Sequence, residues 1–129
     1  MNGKGINIST QKSYIAAADL SSYQYHFVYL TADNTVNICG ANGRAIGILM
    51  NKPNAAGKPA EVLSIGATAK LKINGAVTVG KMLTSTAAGK GEVVDAANEW
   101  VAALALQGGV LNDIIEVLVV GFNAVSTDA

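Results

Sequence analysis

The segment Glu61-Val62-Leu63-x-x-Gly66 recurs 55 residues later as Glu116-Val117-Leu118-x-x-Gly121, and no other feature constrains the fold as much. A 129-residue chain that repeats itself at this distance holds two copies of one unit and little else. Without a gap, the same displacement lays Phe27-Val28 on Met82-Leu83, Thr31-Ala32 on Thr86-Ala87 and Ile38 on Val93. It also lays the run from Ala45 to Leu49 on the run from Trp100 to Leu104. Residues 24–66 and 79–121 share eight identities in 43 positions, and the turn pair Asp33-Asn34 falls on Ala88-Gly89.

Each copy reads as short apolar runs punctuated by turn residues, the pattern of an all-β chain. Strands are expected at Tyr25 to Leu30, Thr35 to Cys39, Ala45 to Asn51, Glu61 to Ile65 and Ala67 to Ile73. Further strands are expected at Val77 to Leu83, Val93-Val94, Trp100 to Leu106 and Ile114 to Val120. Asn74-Gly75 reads as a hairpin turn, because both residues tolerate positive φ. Lys52 to Pro59 carries both prolines and a glycine and reads as a loop. Asp95 could cap a helix running to Leu106, but the counterpart of that run, Ala45 to Leu49, reads as strand, and the repeat decides for strand. The expected architecture is a small compact β-barrel of two similar β-meanders over residues 23–122. An extended N-terminal arm, residues 1–22, precedes it, and a C-terminal tail, residues 123–129, follows. On this reading residues 1–20 are dispensable for folding.

Charge narrows the function classes. Nine basic and nine acidic residues cancel, so the chain lacks the basic stripe that nucleic-acid binding requires. Half of the chain is hydrophobic, which is incompatible with intrinsic disorder. With one cysteine, Cys39, no disulfide framework forms within the chain. The first twenty residues show no secretory apolar core. The apolar region from Trp100 to Phe122 is interrupted by Gln107, Gly108, Gly109, Asn112, Asp113 and Glu116, which argues against a membrane span. These features imply a soluble chain made in the cytoplasm.

No catalytic, cofactor-binding or metal-binding set emerges. The single His26 lies between Tyr25 and Phe27 on a strand, where a structural histidine is expected rather than a ligand or base. Cys39 ends a strand and reads as a small packed hydrophobe. The stretch Gly75 to Met82 approaches a phosphate-binding loop, but Met82 replaces the hydroxyl residue that holds magnesium. Glu61 and Glu116 occupy equivalent strand starts, which suggests bonding at a barrel rim. Tyr14, Tyr23, Tyr25 and Tyr29 crowd the first quarter of the chain. They suit either a surface that meets another protein or the packing of strands, and the sequence supports both.

The run Arg44-Ala45-Ile46-Gly47-Ile48-Leu49-Met50-Asn51-Lys52-Pro53, then Ala60-Glu61-Val62, then Gly80-Lys81-Met82-Leu83-Thr84-Ser85, resembles the capsid cement, or head decoration, proteins of tailed bacteriophages. Lys81 departs from the aspartate usual in that pattern, and Trp100 to Leu104 stands where a glycine-bearing run is usual. The resemblance implies a non-enzymatic virion protein, without cofactor, on the outer surface of an assembled capsid. Its implied partners are the major capsid protein and further copies of itself, a trimer before a dimer, with neither nucleic acid nor membrane. The residues expected to touch capsid or sister copies are Ile6, Ile8, Tyr14 and Ile15 of the arm, Tyr23, and Lys52, Pro53 and Pro59 of the loop. A small ligand- or peptide-binding barrel, or a tail or fibre component, is the competing reading.

Overall fold

The computed structural model describes residues 10–124, all in strands, turns and connecting segments. The ten strands are β1 (Gln11–Ala16), β2 (Phe27–Ala32), β3 (Thr35–Ile38), β4 (Gly47–Leu49), β5 (Pro59–Ser64), β6 (Thr68–Lys72), β7 (Met82–Ser85), β8 (Gly91–Val93), β9 (Trp100–Ala105) and β10 (Ile114–Asn123). The first five close into a barrel in the order β1-β3-β2-β4-β5, and the rest form a sheet in the order β6-β10-β9-β7-β8. The two orders are the same: β2 to β5 correspond to β7 to β10, and β1 corresponds to β6. The repeat therefore spans five strands per copy, and the all-β expectation holds.

Several details differ from the sequence reading. The two copies form a closed barrel and a second sheet rather than one barrel, and consecutive β3 and β4 do not pair, so neither copy is a plain meander. Residues 11–16, expected in an extended arm, form β1, which pairs antiparallel with β5 and parallel with β3 and so closes the first barrel. The reason is an alternation that sparse apolar residues conceal. Tyr14 and Ala16 turn toward the first core while Ile15 turns out, and Leu20 is fully buried. Ile6 and Ile8 lie outside the described residues. Asn74-Gly75 does not make a hairpin, because β6 pairs with β10 and not with β7, and regular strand resumes only at Met82.

Backbone geometry repeats more faithfully than side chains do. Left-handed φ occurs at Tyr25 and Gly80, at Asn34 and Gly89, and at Gly57 and Asn112, each pair 55 residues apart. The same turns carry the same bonds. The Gly57 N–H donates to Ala16 O at 2.9 Å, as the Asn112 N–H does to Ile73 O at 2.8 Å. At the rims, the Asn51 side chain accepts the Glu61 N–H at 3.0 Å and the Gln107 side chain accepts the Glu116 N–H at 2.6 Å. The two glutamates thus hold equivalent strand positions, but these bonds use their backbone N–H groups; of their carboxylates, that of Glu61 accepts from the Gln11 side chain at 3.2 Å.

The first core gathers Ala16, Leu20, Val28, Val36, Leu49, Ala60 and Val62. The second gathers Leu71, Ile73, Val77, Leu83, Ile115 and Val117, and it also takes in Phe27, Cys39 and Ile48 from the first copy. Successive residues of β2 and β4 therefore face different cores, and Phe27, Val28, Ile48 and Leu49 are all completely buried. Volumes compensate between copies. Where the first core has Ala16, Val36 and Ala60, the second has Ile73, Gly91 and Ile115.

The seams differ, and this difference joins the copies. In the first barrel Ile15 N–H donates to Asn34 O and Ala17 N–H donates to Val36 O, both at 2.8 Å. The second sheet keeps the latter bond as Asn74 N–H to Gly91 O at 2.8 Å, beside an isolated parallel bridge between Ile73 and Gly91. In place of the former, the backbone of residues 25–27 enters the seam. Lys72 N–H donates to Tyr25 O at 2.9 Å and Phe27 N–H donates to Gly89 O at 2.7 Å.

Two outcomes follow for stability. A chain beginning at Thr10 retains all ten strands and its thermal transition, whereas one beginning at Ser21 loses β1 and Leu20 and shows no cooperative transition by circular dichroism. Gly89→Ala is destabilising by about 1–3 kcal/mol or more in urea unfolding. At φ 79° its Cβ would also stand 2.7 Å from Ile38 Cγ2 and 3.0 Å from Phe27 O.

Candidate protein-contact surface

Three stretches of surface compete for a contact role. The first is the outer wall of the first barrel. Ile15 on β1 lies opposite Thr35 on β3, and Tyr29 on β2 lies opposite Asn37. Ile15 and Tyr29 are 41% and 38% exposed, so this wall offers two apolar groups among polar ones, while Leu30, 48% exposed, lies opposite buried Val36 on the other side of β2. Tyr14 and Tyr23 are half-buried and pack on the first core, and the ammonium of Lys12 sits 4.8 Å from the Tyr14 ring centre. Of the tyrosines, Tyr29 alone is exposed; Tyr25 is held half-buried at the seam.

The second stretch is the Lys52 to Pro59 loop. Lys52 is exposed, but Pro53 is buried, with its carbonyl accepting the Leu20 N–H at 2.8 Å. Pro59 is exposed, belongs to β5 and pairs with Ile15. The structure therefore brings Ile15 and Pro59 together, leaves Lys52 apart, and turns Pro53 inward to anchor the loop. The Asn51 side chain fixes the loop's ends by donating to Pro59 O at 3.0 Å while accepting from Glu61 N–H.

The third stretch, which the sequence reading did not single out, is the equivalent end of the second sheet. Val79, Leu106, Val110, Leu111 and Ile114 are 44–61% exposed. They are neighbours through the backbone. Val77 bridges Gly109, Gly80 N–H donates to Ala105 O, and the register of β9 with β10 carries Leu106 alongside Glu116. The turn holding Val110 and Leu111 is rigidly tied. Val110 N–H donates to the Asp113 carboxylate at 2.9 Å, and Asp113 N–H donates back to Val110 O at 3.0 Å. Lys90 Nζ donates to the Asn112 side chain at 2.8 Å. The signal was present in the 55-residue displacement, which sets Val110-Leu111 on Ala55-Ala56, but it becomes a surface signal only once the turn is known to be exposed.

Between the sheets, the Trp100 indole N–H donates to Ala45 O at 3.3 Å and the Arg44 guanidinium lies 5.1 Å from the Trp100 ring centre. Cys39 is fully buried, and burial pushes its thiol above the usual range, in keeping with a packed hydrophobe. Among the described residues no cavity of ligand size opens and no three His, Cys, Asp or Glu side chains are grouped to hold a metal ion. No helix among them is long and apolar enough to cross a membrane.

No protein-family model and no curated protein matches the chain. Among solved structures, it is similar to the crystal structure of the head fibre gp8.5 N base of bacteriophage phi29. The TM-score is 0.66 at 15% identity, over 84% of this chain and 92% of that one. The likeness is one of fold.

His26 lies in the segment that enters the second seam. It is 5% exposed, with Nδ1 3.0 Å from Gln24 O and its ring edge-on to Tyr23. Burial holds its pKa below the usual imidazole value; the charges of Lys72 and Lys90 add to this, while the carbonyls of Gln24 and Tyr23 oppose it. A lowered folded-state pKa means that the unfolded chain takes up the proton first. The neutral ring therefore contributes stability above about pH 6.5, and that contribution is lost as the pH falls through the folded value. Unfolding free energy measured from pH 7 downward declines, and His26→Gln removes that part of the slope.

Proposed function

We propose that this protein is a non-enzymatic structural component of a bacteriophage virion, seated on the outside of the head. The observation that carries this reading is the shared fold: the chain's paired five-stranded units follow the architecture of the phi29 head fibre base over nearly all of that base. Two sets of residues support it independently. The motifs from Arg44 to Pro53 and from Gly80 to Ser85 resemble those of phage head proteins. The described surface offers apolar walls and rims rather than a cavity, which suits contact with other proteins.

Within that reading the chain is a capsid cement protein, spread over the shell and clamping neighbouring major capsid proteins. Attachment to the assembled shell alone would stabilise it by linkage, since a ligand of one state favours that state. Repeated weak contacts would add by avidity. A fibre base is the second reading, favoured by the name of the structural neighbour, whose crystal structure is of the base of a head fibre. The two differ in number per particle.

Purified chain labelled with a fluorophore, mixed with heads of the phage that encodes it from which the native copy has been stripped, is expected to co-sediment with the heads and to raise their temperature of rupture. Saturation near one copy per major capsid protein supports cement, and saturation far below that supports a fibre base. Absence of the native chain from quantified gels of purified particles would refute both.

A further inference from the structure

We infer that Asn74 is a site of spontaneous covalent modification, at which the folded chain converts asparagine to aspartate and isoaspartate through attack by the Gly75 backbone nitrogen. The inference rests on backbone bonding and does not depend on the head-surface reading.

An asparagine followed by glycine is the least protected of asparagines, because glycine has no side chain to hinder ring closure. The Gly75 nitrogen bonds to Asn74 Cγ and gives up its proton. The bond from Cγ to Nδ2 breaks, and ammonia leaves with that proton, which gives a cyclic succinimide. Water then opens the ring, at Cγ to give aspartate or at the α-carbonyl carbon to give isoaspartate. The sum is asparagine and water going to acid and ammonia, with no oxidant or reductant. Three Asn-Gly pairs occur in the chain: Asn2-Gly3, Asn42-Gly43 and Asn74-Gly75. The first lies outside the described residues.

Asn42 and Asn74 are both exposed, so exposure does not separate them. Bonding does. The first turn is locked: Asn42 N–H donates to Ser85 O at 2.9 Å, Gly43 N–H to Gly40 O at 3.1 Å and Ala45 N–H to Gly43 O at 3.0 Å. The nitrogen that would attack is held on a carbonyl, and a Cβ on Gly43 would stand 2.8 Å from Cys39 Sγ. At the second pair, Asn74 N–H donates to Gly91 O at 2.8 Å. Among the described residues, however, neither Asn74 O, Gly75 N–H nor the Asn74 carboxamide takes part in a hydrogen bond. A Cβ on Gly75 would meet nothing within 4 Å. The peptide unit between the two residues can therefore turn until nitrogen and Cγ touch, which is the proximity that ring closure requires.

The fold accepts the product for the same reason. The anchors on either side, Asn74 N–H to Gly91 O and Val77 N–H to Gly109 O, involve no reacting atom. The open space around Gly75 takes up the extra backbone atom of isoaspartate. A chain whose nine basic and nine acidic residues cancel thereby gains a negative charge next to the seam of its second sheet.

The test follows the full chain over time in mildly alkaline buffer by peptide mass mapping, with isoaspartyl methyltransferase labelling to locate isoaspartate and ion exchange to isolate the acidic form. In the folded chain Asn74 is expected to convert at least about tenfold faster than Asn42, and the two rates converge when the chain is unfolded in urea. Gly75→Ala, whose added methyl has open space, keeps the fold by circular dichroism and suppresses conversion at residue 74. Asn74→Gln, which would have to close a larger ring, gives the same reading should Gly75→Ala fail to fold. The isolated acidic form keeps the thermal transition of the unmodified chain. Equal rates at Asn42 and Asn74 in the folded chain, a difference that persists in urea, a folded variant that converts at the wild-type rate, or an acidic form without a cooperative transition would overturn the proposal. None of these measurements involves heads, so their failure would leave the head-surface reading standing.

Discussion

The fold depends on how the backbone fills two seams, one in the closed barrel and one in the second sheet. A five-stranded unit of this order has to satisfy the N–H and C=O groups where its first and third strands approach, because unpaired backbone groups in a closed barrel carry a cost of desolvation. The first copy satisfies them internally, with Ile15 and Ala17 donating to Asn34 and Val36. The second borrows Tyr25 and Phe27 from the first. Tyr25 adopts φ 68° because the repeated turn requires it, as Gly80 does at φ 89° in the second copy, and in the first copy this turn also presents the Tyr25 carbonyl to the seam. The side chain tolerates the strain because the carbonyl of Leu49 and the N–H of Lys72 both hold its backbone in place.

From that joint follow the shared core and the burial of His26. Phe27 and Ile48 leave the first barrel's interior and enter the second's, so β2 and β4 are apolar on both faces. His26 immediately precedes Phe27 on this segment, with Nδ1 3.0 Å from Gln24 O and its ring edge-on to Tyr23, and burial holds its pKa below the usual imidazole value. Gly89 completes the joint, since only a residue without Cβ leaves room for Ile38 and the Phe27 carbonyl. These features make the two copies one packed body.

Much of the fold was legible in the sequence because turn chemistry and apolar runs repeat in step. Asp33-Asn34 against Ala88-Gly89 located a real pair of equivalent turns, and the choice of strand over helix for residues 100–105 was correct. What escaped had physical reasons. The strand β1 has only Tyr14, Ile15 and Ala16 as apolar residues, too few to register as alternation, and its partners lie far along the chain. Asn74-Gly75 has the composition of a hairpin, but long-range pairing of β6 with β10 overrides the local preference. Pro53 looked like an exposed loop residue because a proline lacks an N–H, yet its carbonyl is what the Leu20 backbone needs. The contact surface was legible only in part. Ile15 and Pro59 meet on the first barrel, whereas the aliphatic rim of the second sheet stands out only when equivalent turns are compared in three dimensions.

The borrowed seam also sets an order of assembly. Every partner that closes the first barrel lies at or before Ser64, so this unit can complete itself while later residues are still being synthesised. The second cannot complete itself in the same sense, because Lys72 and Gly89 bond to a segment laid down some fifty residues earlier. The second sheet therefore fills its seam only where residues 25–27 of the first copy are in place. Contacts of such long sequence separation belong to the slow end of single-domain folding. In this chain the ladder partners of the first barrel all precede those of the second sheet, while Phe27, Cys39 and Ile48 gain their cover only from the second copy.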